Sequence, residues 1–189
     1  MTYREFYKRH LPHWQPADAP LFITFVLKGS LPRSVLDLLD DHPGKPFEEW
    51  DEAIDQNQTP PRWLAIPDVA EIVSEALHHR DGKVYDLLAY CIMPTHVHLV
   101  CKIFNQVEGD DPIPLQVVMQ SLKRHTALHA NRILGRQGAF WHEESYDHVA
   151  RSWEELERII WYVITNPVKA GLVENWQDWK WTYVKHKPE

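Results

Sequence analysis

The spacing of apolar residues along the chain predicts where its strands and helices lie. A largely apolar run, rich in β-branched and aromatic residues, occupies 21–27 and stops before Gly29, which predicts a strand. Two similar runs, 84–93 and 96–104, are separated by only two residues and predict an antiparallel hairpin. Shorter extended pieces are expected at 138–141 and 146–149. The chain is therefore expected to build an antiparallel sheet.

Helical periodicity predicts three longer helices around these strands. The first spans 67–80 and begins with a proline, whose missing N–H has no helical partner in the first turn. The second spans about 115–134. Ser152 and Glu155 resemble a capping box and start the third helix. We expect Pro167 to end that helix, because proline cannot continue the hydrogen-bond ladder.

The order of these elements predicts an α+β domain, with helices on one or both faces of the sheet. A length of 189 residues suits a single domain over 1–189. The acidic, proline-bounded stretch 42–61 is expected to be a surface insertion, and a short helix is expected before it at 34–41. The beginning of the chain lacks the apolar stretch of a signal peptide, and no run is long enough to span a membrane. Cys91 and Cys101 lie in apolar, strand-like text typical of reduced core residues. We therefore expect a cytoplasmic protein without a membrane partner.

The net charge of −7 weighs against a nucleic-acid partner, but its distribution weakens that objection. Residues 37–86 hold thirteen acids and four bases, a local charge of −9, so the rest of the chain sums to −7 + 9 = +2. Residues 112–142 contain no acid and carry four cations: Lys123, Arg124, Arg132 and Arg136. This basic stripe is either an ordinary solvated helix face or a phosphate-binding surface.

His96 and His98 are candidate metal ligands. Side chains alternate along a strand, so these two imidazoles project from one face while Val97 and Leu99 point into the core. Two imidazoles on one face can occupy two positions on a metal ion. A His-x-His pair by itself more often means partly exposed, hydrogen-bonded histidines than a metal site.

Tyr162 and Asn166 form a second candidate pair. They lie four residues apart on the third predicted helix and therefore share one face. Tyr162 interrupts the apolar face of this helix. The neighbouring residues Ile159, Ile160 and Val163 could form that face without a tyrosine. Taken alone, the pair could also be a core tyrosine with a bonded hydroxyl and an asparagine near the helix end.

Together these motifs resemble those of a known family. Pro-Thr-His96-Val-His98, followed by Tyr162-x-x-x-Asn166-Pro-Val-Lys-Ala-Gly, is similar to the His-hydrophobic-His single-tyrosine transposases. The resemblance is greatest to the REP-associated tyrosine transposases, which are linked to repetitive extragenic palindromes. It covers most of residues 20–183. Further similar segments are 22–25, 29–32, 121–123, 138–148 and 166–173.

The resemblance implies a fold, a metal site and a substrate. The implied fold is a ferredoxin-like antiparallel sheet flanked by helices, the HUH endonuclease/transposase fold. His96, His98 and Asn166 would hold a divalent metal, Mg²⁺ or Mn²⁺ by resemblance, although the ligand types alone also admit zinc. Tyr162 would be the nucleophile that cleaves and rejoins single-stranded DNA hairpins. Related proteins act as monomers or homodimers, so both states stay open.

DNA contacts are predicted for two groups of residues. The cations expected to contact phosphates are Lys123, Arg124, Arg132, Arg136 and Lys169. Trp141 and Tyr146 are expected to stack on unpaired bases. His125 and His129 lie four residues apart, a spacing that could also suit two metal ligands. We interpret them as surface or DNA-facing residues. Two other hypotheses are a nucleic-acid-binding protein without catalytic turnover, and a metallohydrolase that activates water.

Overall fold

The computed structural model describes residues 18–31, 60–104 and 113–187, together with Pro16 and two short strands before it. The helix predicted at 34–41 and nearly all of the insertion predicted at 42–61 lie outside the described residues.

The described elements follow the predicted order closely. The three longer helices and the predicted strands are present, with ends within one or two residues of the prediction except at the third helix. The piece predicted at 138–141 is the exception among the extended segments, because it forms only an isolated bridge between Trp141 and Leu27. In chain order the elements are β1 (Phe6–Lys8), β2 (Pro12–Trp14), β3 (Leu21–Val26), α1 (Pro67–Arg80), β4 (Tyr85–Ile92), β5 (His96–Ile103), α2 (Leu115–Ile133), β6 (Tyr146–Val149), α3 (Trp153–Lys169) and β7 (Thr182–Val184).

The main sheet has five strands in the order β6-β3-β5-β4-β7, and every neighbouring pair is antiparallel. Strands β1 and β2 form a separate two-stranded sheet. The hairpin predicted from the sequence is the β4–β5 pair at the centre. Strand β7 follows α3 in the chain, and no strand was predicted there. The α+β prediction is confirmed.

The sheet separates two hydrophobic layers. One face packs against α1 and α2 and includes Val97 and Leu99 of β5. The opposite face packs against α3 and includes Val100 of β5. Because side chains alternate along a strand, the even-numbered His96 and His98 project toward α3. Both faces are covered by helices, which buries every residue of β5 except the half-buried Lys102.

The end of α3 corrects the prediction made for Pro167. The helix continues through Pro167 to Lys169. Gly171 adopts a positive φ of 67°. The N–H of Leu172 donates to the carbonyl oxygen of Pro167 at 2.9 Å, and the N–H of Gly171 donates to the carbonyl oxygen of Val168 at 3.0 Å. These bonds form a Schellman motif, so Gly171 ends the helix, and proline costs it only one hydrogen bond.

The structure also bears on the predictions about the cysteines and about membrane-spanning segments. Cys91 and Cys101 are buried and form no disulfide, as expected for core residues. Within the described residues, no helix combines the length and hydropathy needed to cross a membrane.

Candidate metal and nucleophile site

The two histidines lie at the centre of the sheet with their ring nitrogens converging. His96 is 1% exposed and His98 is 0% exposed, so neither is the partly exposed histidine of the alternative interpretation. Their Nε2 atoms are 3.0 Å apart. Two lone pairs at that distance repel each other, and either a proton or a cation between them relieves the repulsion.

A threonine hydroxyl orients each imidazole from behind. The Thr24 Oγ1 atom of β3 lies 2.9 Å from Nδ1 of His98, and the Thr95 Oγ1 atom lies 2.8 Å from Nδ1 of His96. A metal-binding histidine usually engages its other ring nitrogen in this way, which fixes the tautomer and the ring plane. When each hydroxyl accepts from the Nδ1–H of its ring, both Nε2 atoms carry lone pairs that are available as ligands.

This donor set fits a divalent metal. Nitrogens about 2.1 Å from one ion and about 90° apart around it would be separated by roughly 3.0 Å, the spacing of the two Nε2 atoms. Among the described residues, no group of three His, Cys, Asp or Glu side chains could hold a metal. A third protein ligand would therefore have to be of another type, such as the amide oxygen of Asn166.

Tyr162 of α3 lies against the same histidines. The Tyr162 and His98 rings have centroids 5.8 Å apart, with their planes at 69°. Phe22 of β3 stacks on His98 at 5.6 Å and meets the Tyr162 ring edge-on at 6.4 Å. Phe22 thus supports both rings at once. The helix and the strand meet at the point that the sequence motifs require.

Two more residues of α3 lie on or near the Tyr162 face. Asn166 is one turn further along the helix and only 7% exposed, unusual burial for an amide side chain. Lys169 is exposed, and its Nζ atom lies 4.2 Å from the centroid of the Tyr162 ring, a cation–π contact. Nothing in the sequence pattern indicated that contact.

The basic stripe of α2 lies on the other face of the sheet from this site. Arg124 and Arg132 are exposed there. Lys123 instead donates from Nζ to the carbonyl oxygens of three consecutive residues, 142–144, at 3.0–3.1 Å. Arg136 donates to the Asn131 amide oxygen at 2.6 Å, with its guanidinium 4.0 Å above the Trp63 ring. Lys123 and Arg136 therefore have structural roles that the sequence did not reveal.

The two predicted stacking residues are placed differently. Trp141 is 6% exposed and donates from Nε1 to the Thr126 hydroxyl at 2.8 Å, so it is a core residue, contrary to the prediction that it stacks on bases. The Trp141 ring also packs edge-on against Phe25, with 4.8 Å between the ring centroids. Tyr146 is half-buried at the edge of the site, with its ring centroid 6.3 Å from that of Phe22.

The sequence did not identify Phe22, Thr24 or Thr95 as part of the site, although 22–25 was noted as a similar segment. Thr24 and His98 are opposite each other in the β3–β5 register. Such a register depends on how distant strands pair, so it could not be read from either strand alone. For Thr95 the signal was available, because it directly precedes His96.

Comparison with known proteins supports the same family. No protein-family model matches the chain. A curated protein of Haemophilus influenzae, provisionally named a REP-associated tyrosine transposase, is 28% identical over 105 residues, 52% of this chain. The match spans only 58% of that relative's length.

A solved structure of a REP-associated tyrosine transposase bound to a REP hairpin has a similar fold. The TM-score is 0.55 at 16% sequence identity, over 96% of this chain and 82% of that one. The comparison confirms the predicted transposase fold, a five-stranded antiparallel sheet flanked by helices. Together the two comparisons confirm the family resemblance inferred from the motifs.

Proposed function

Given this resemblance to the REP-associated tyrosine transposases, we propose that the chain is a metal-dependent nickase or transposase for single-stranded DNA. It cleaves and rejoins DNA at REP-like hairpins through a covalent 5′-phosphotyrosine intermediate. The observation that carries the proposal is the position of the Tyr162 ring, whose centroid lies 5.8 Å from that of the buried His98 ring. The Nε2 atom of His98 in turn lies 3.0 Å from Nε2 of His96.

The proposed metal ligands are His96, His98 and Asn166, and the metal is Mg²⁺ or Mn²⁺. A bound divalent cation would withdraw charge from a non-bridging oxygen of the phosphodiester and orient it. Two imidazoles and one amide oxygen leave positions for phosphate and water. The hydroxyls of Thr24 and Thr95 would accept from the Nδ1–H groups in the tautomer that binds a metal through Nε2.

Tyr162 is the proposed nucleophile. Its phenol oxygen attacks the phosphorus and forms a Tyr–O–P bond, while the bond between phosphorus and the 3′ oxygen breaks. The phenol proton is lost to solvent, and the departing 3′ oxygen takes up a proton to become a free hydroxyl. The Lys169 ammonium, 4.2 Å from the ring centroid, favours the negative charge that develops on the phenol oxygen.

The covalent link conserves the energy of the cleaved bond. A 3′ hydroxyl from the same or another strand can attack the phosphotyrosine and reverse the step. Strands are thereby rejoined without ATP. This exchange is what distinguishes a strand transferase from a hydrolase, which would give the phosphate to water.

The test is covalent adduct formation by a Tyr162→Phe variant. With Mn²⁺ and an end-labelled hairpin oligonucleotide, we expect the wild type to form a protein–DNA adduct visible on a denaturing gel. Tyr162→Phe should form none and still bind the hairpin. Tyr146→Phe is the matched control, because Tyr146 also contacts Phe22 at the site. An adduct that persists in Tyr162→Phe would show that the nucleophile is another residue.

The alternative is a nucleic-acid-binding protein that uses the same scaffold without turnover. The net charge of −7 favours it, as does the position of the α2 cations on the far face of the sheet. Intact residues at all four proposed catalytic positions favour the enzyme. Cleavage of single-stranded DNA by the wild-type protein in Mn²⁺ separates the two hypotheses.

A further inference from the structure

A second pocket lies on the other flank of α3. It has a volume of about 410 Å³ and is bounded by the first part of α3, by β4 and by the segment after β7. The floor is apolar, made of Leu88, Leu156 and Ile160. The volume lies within the range of small-ligand pockets.

An exposed indole stands at this pocket. Trp153, the first residue of α3, lines it and is 68% exposed, the highest exposure among the large apolar side chains of the described residues. An indole left in water does not contribute the stabilisation that burial of its large apolar area would give. Tryptophan faces of this kind are the platforms on which proteins stack unpaired bases.

The rim of the pocket carries cations on one side and an acid on the other. Its C-terminal side consists of Lys185, His186 and Lys187, while Glu157 is the one acid among the described lining residues. Lys185 forms an ion pair with Asp86, which offsets its charge. Lys187 is exposed, lies 5.8 Å from the Trp161 ring and, unlike Lys185, is not paired with Asp86.

The pocket and the nucleophile share one helix. Trp153 and Tyr162 are nine residues apart on α3, about two and a half turns, so they lie on opposite flanks roughly 14 Å apart along the axis. A single strand leaving the Tyr162 site across α3 would reach the pocket. The α2 stripe, in contrast, lies behind the sheet.

We infer that this pocket binds one unpaired nucleotide of the DNA strand. The base stacks on Trp153 over the apolar floor, and the adjoining phosphate pairs with Lys187. The inference rests on the proposed function for its choice of single-stranded DNA. The pocket would then hold the unpaired flank of the hairpin at a site separate from the site of cleavage.

The first experiment measures affinity in the Tyr162→Phe background, where cleavage does not interfere. The probe is a fluorescent DNA hairpin with an unpaired, randomised flank of about ten nucleotides, followed by anisotropy. We expect Trp153→Ala to weaken binding about tenfold and Trp153→Phe to restore most of it, because a phenyl ring also stacks. Lys187→Ala should weaken binding and lower the slope of log affinity against log salt by about one.

Two control variants and a crosslink locate the effect. Leu128→Ala removes an exposed apolar side chain from α2, and Lys83→Ala removes an exposed cation after α1; neither should change the affinity. With 5-iodouracil in the unpaired flank, irradiation should crosslink the peptide that contains Trp153. Unchanged binding by Trp153→Ala, or a crosslink confined to other peptides, would overturn the inference.

Other occupants give distinct results. If a second copy of the chain covers the pocket, Trp153→Ala will abolish a concentration-dependent dimer in light scattering without changing DNA affinity, and the inference is wrong. Failure of the proposed function is distinguishable, because it appears either as no adduct with the wild-type protein or as adduct formation that does not depend on Tyr162. Loss of the nucleotide site instead leaves the dependence on Tyr162 intact.

Discussion

The hydroxyl oxygen of Thr24 lies 2.9 Å from Nδ1 of His98, across two neighbouring strands, and this contact sets which nitrogen of the ring faces the site. When the Nδ1–H donates to the hydroxyl, Nε2 carries a lone pair directed at Nε2 of His96. Both side chains are almost fully buried, so the hydrogen bond is not replaced by water. The threonine thereby prepares the histidine as a metal ligand.

Thr24→Val should lower the affinity for Mn²⁺ by about 10- to 100-fold, the usual cost of losing a partner behind a metal-binding histidine. Valine keeps the shape of threonine but leaves the imidazole orientation and tautomer unfixed. Isothermal titration with Mn²⁺ measures the effect. Thr126→Val is the control, because its buried hydroxyl bonds in the other layer, to Leu122 and Trp141. Equal losses in the two variants would mean that the effect is general destabilisation.

Lys169→Met should slow the formation of the protein–DNA adduct about tenfold, because it removes a cation from the face of the attacking phenol. The measurement is the single-turnover rate at saturating DNA, so that weaker binding does not contribute. Lys180→Met is matched to it: its Nζ also lies 4.2 Å from an aromatic ring, that of Trp181, which has no catalytic role in the proposal. A rate for Lys169→Met equal to that of Lys180→Met would remove Lys169 from the mechanism.

Gly171→Ala should reduce the free energy of unfolding by about 1–2 kcal/mol, because an alanine at a φ of 67° is sterically strained. Urea denaturation measures the loss. Glu174→Ala, at an exposed position shortly afterwards, should change little. A neutral effect of Gly171→Ala would mean that the helix end adjusts without a left-handed residue.

Glu155→Gln should destabilise the protein at neutral pH by about 0.5–1 kcal/mol. This free energy is kept small because the Glu155 side chain is partly exposed, and solvent screens its charge. Burial raises the pKa of Glu155, whereas its hydrogen bonds to the Arg151 N–H and to His148 lower that pKa. The hydrogen bonds outweigh burial, so the net pKa lies below its ordinary value. A lowered pKa in the folded state stabilises the fold above the unfolded pKa, and this stability is lost as pH falls through the folded value. Urea denaturation across pH should show the two proteins converging in acid; a constant difference would contradict the linkage.

The strands and helices were predictable because they depend on neighbours in the chain. Residues 21–27 and 96–104 are rich in apolar and β-branched residues. Ser152 caps its helix as expected, accepting from the Glu155 N–H at 3.2 Å. The error at Pro167 has a local cause too. A proline in the last turn forfeits only one bond, so the left-handed glycine four residues later decides where the helix ends.

Burial decided which of the predicted binding residues remain available. Trp141, Lys123 and Arg136 stood out in the sequence as an aromatic ring and two cations. The fold places the ring in the core and directs both cations at carbonyl or amide oxygens of nearby segments. Composition cannot distinguish a side chain that contacts a ligand from one that contacts its own chain.

The sequence by itself determined the elements, the shared face of His96 and His98, and the shared face of Tyr162 and Asn166. These follow from the repeat of two residues in a strand and 3.6 in a helix, which are properties of the local backbone. Only the tertiary structure brought the two faces together, set Thr24 opposite His98, and placed Lys169 over the phenol ring. Those relationships depend on strand register and on helix packing across the sheet, which are fixed by burial of the whole apolar surface and not by any one segment.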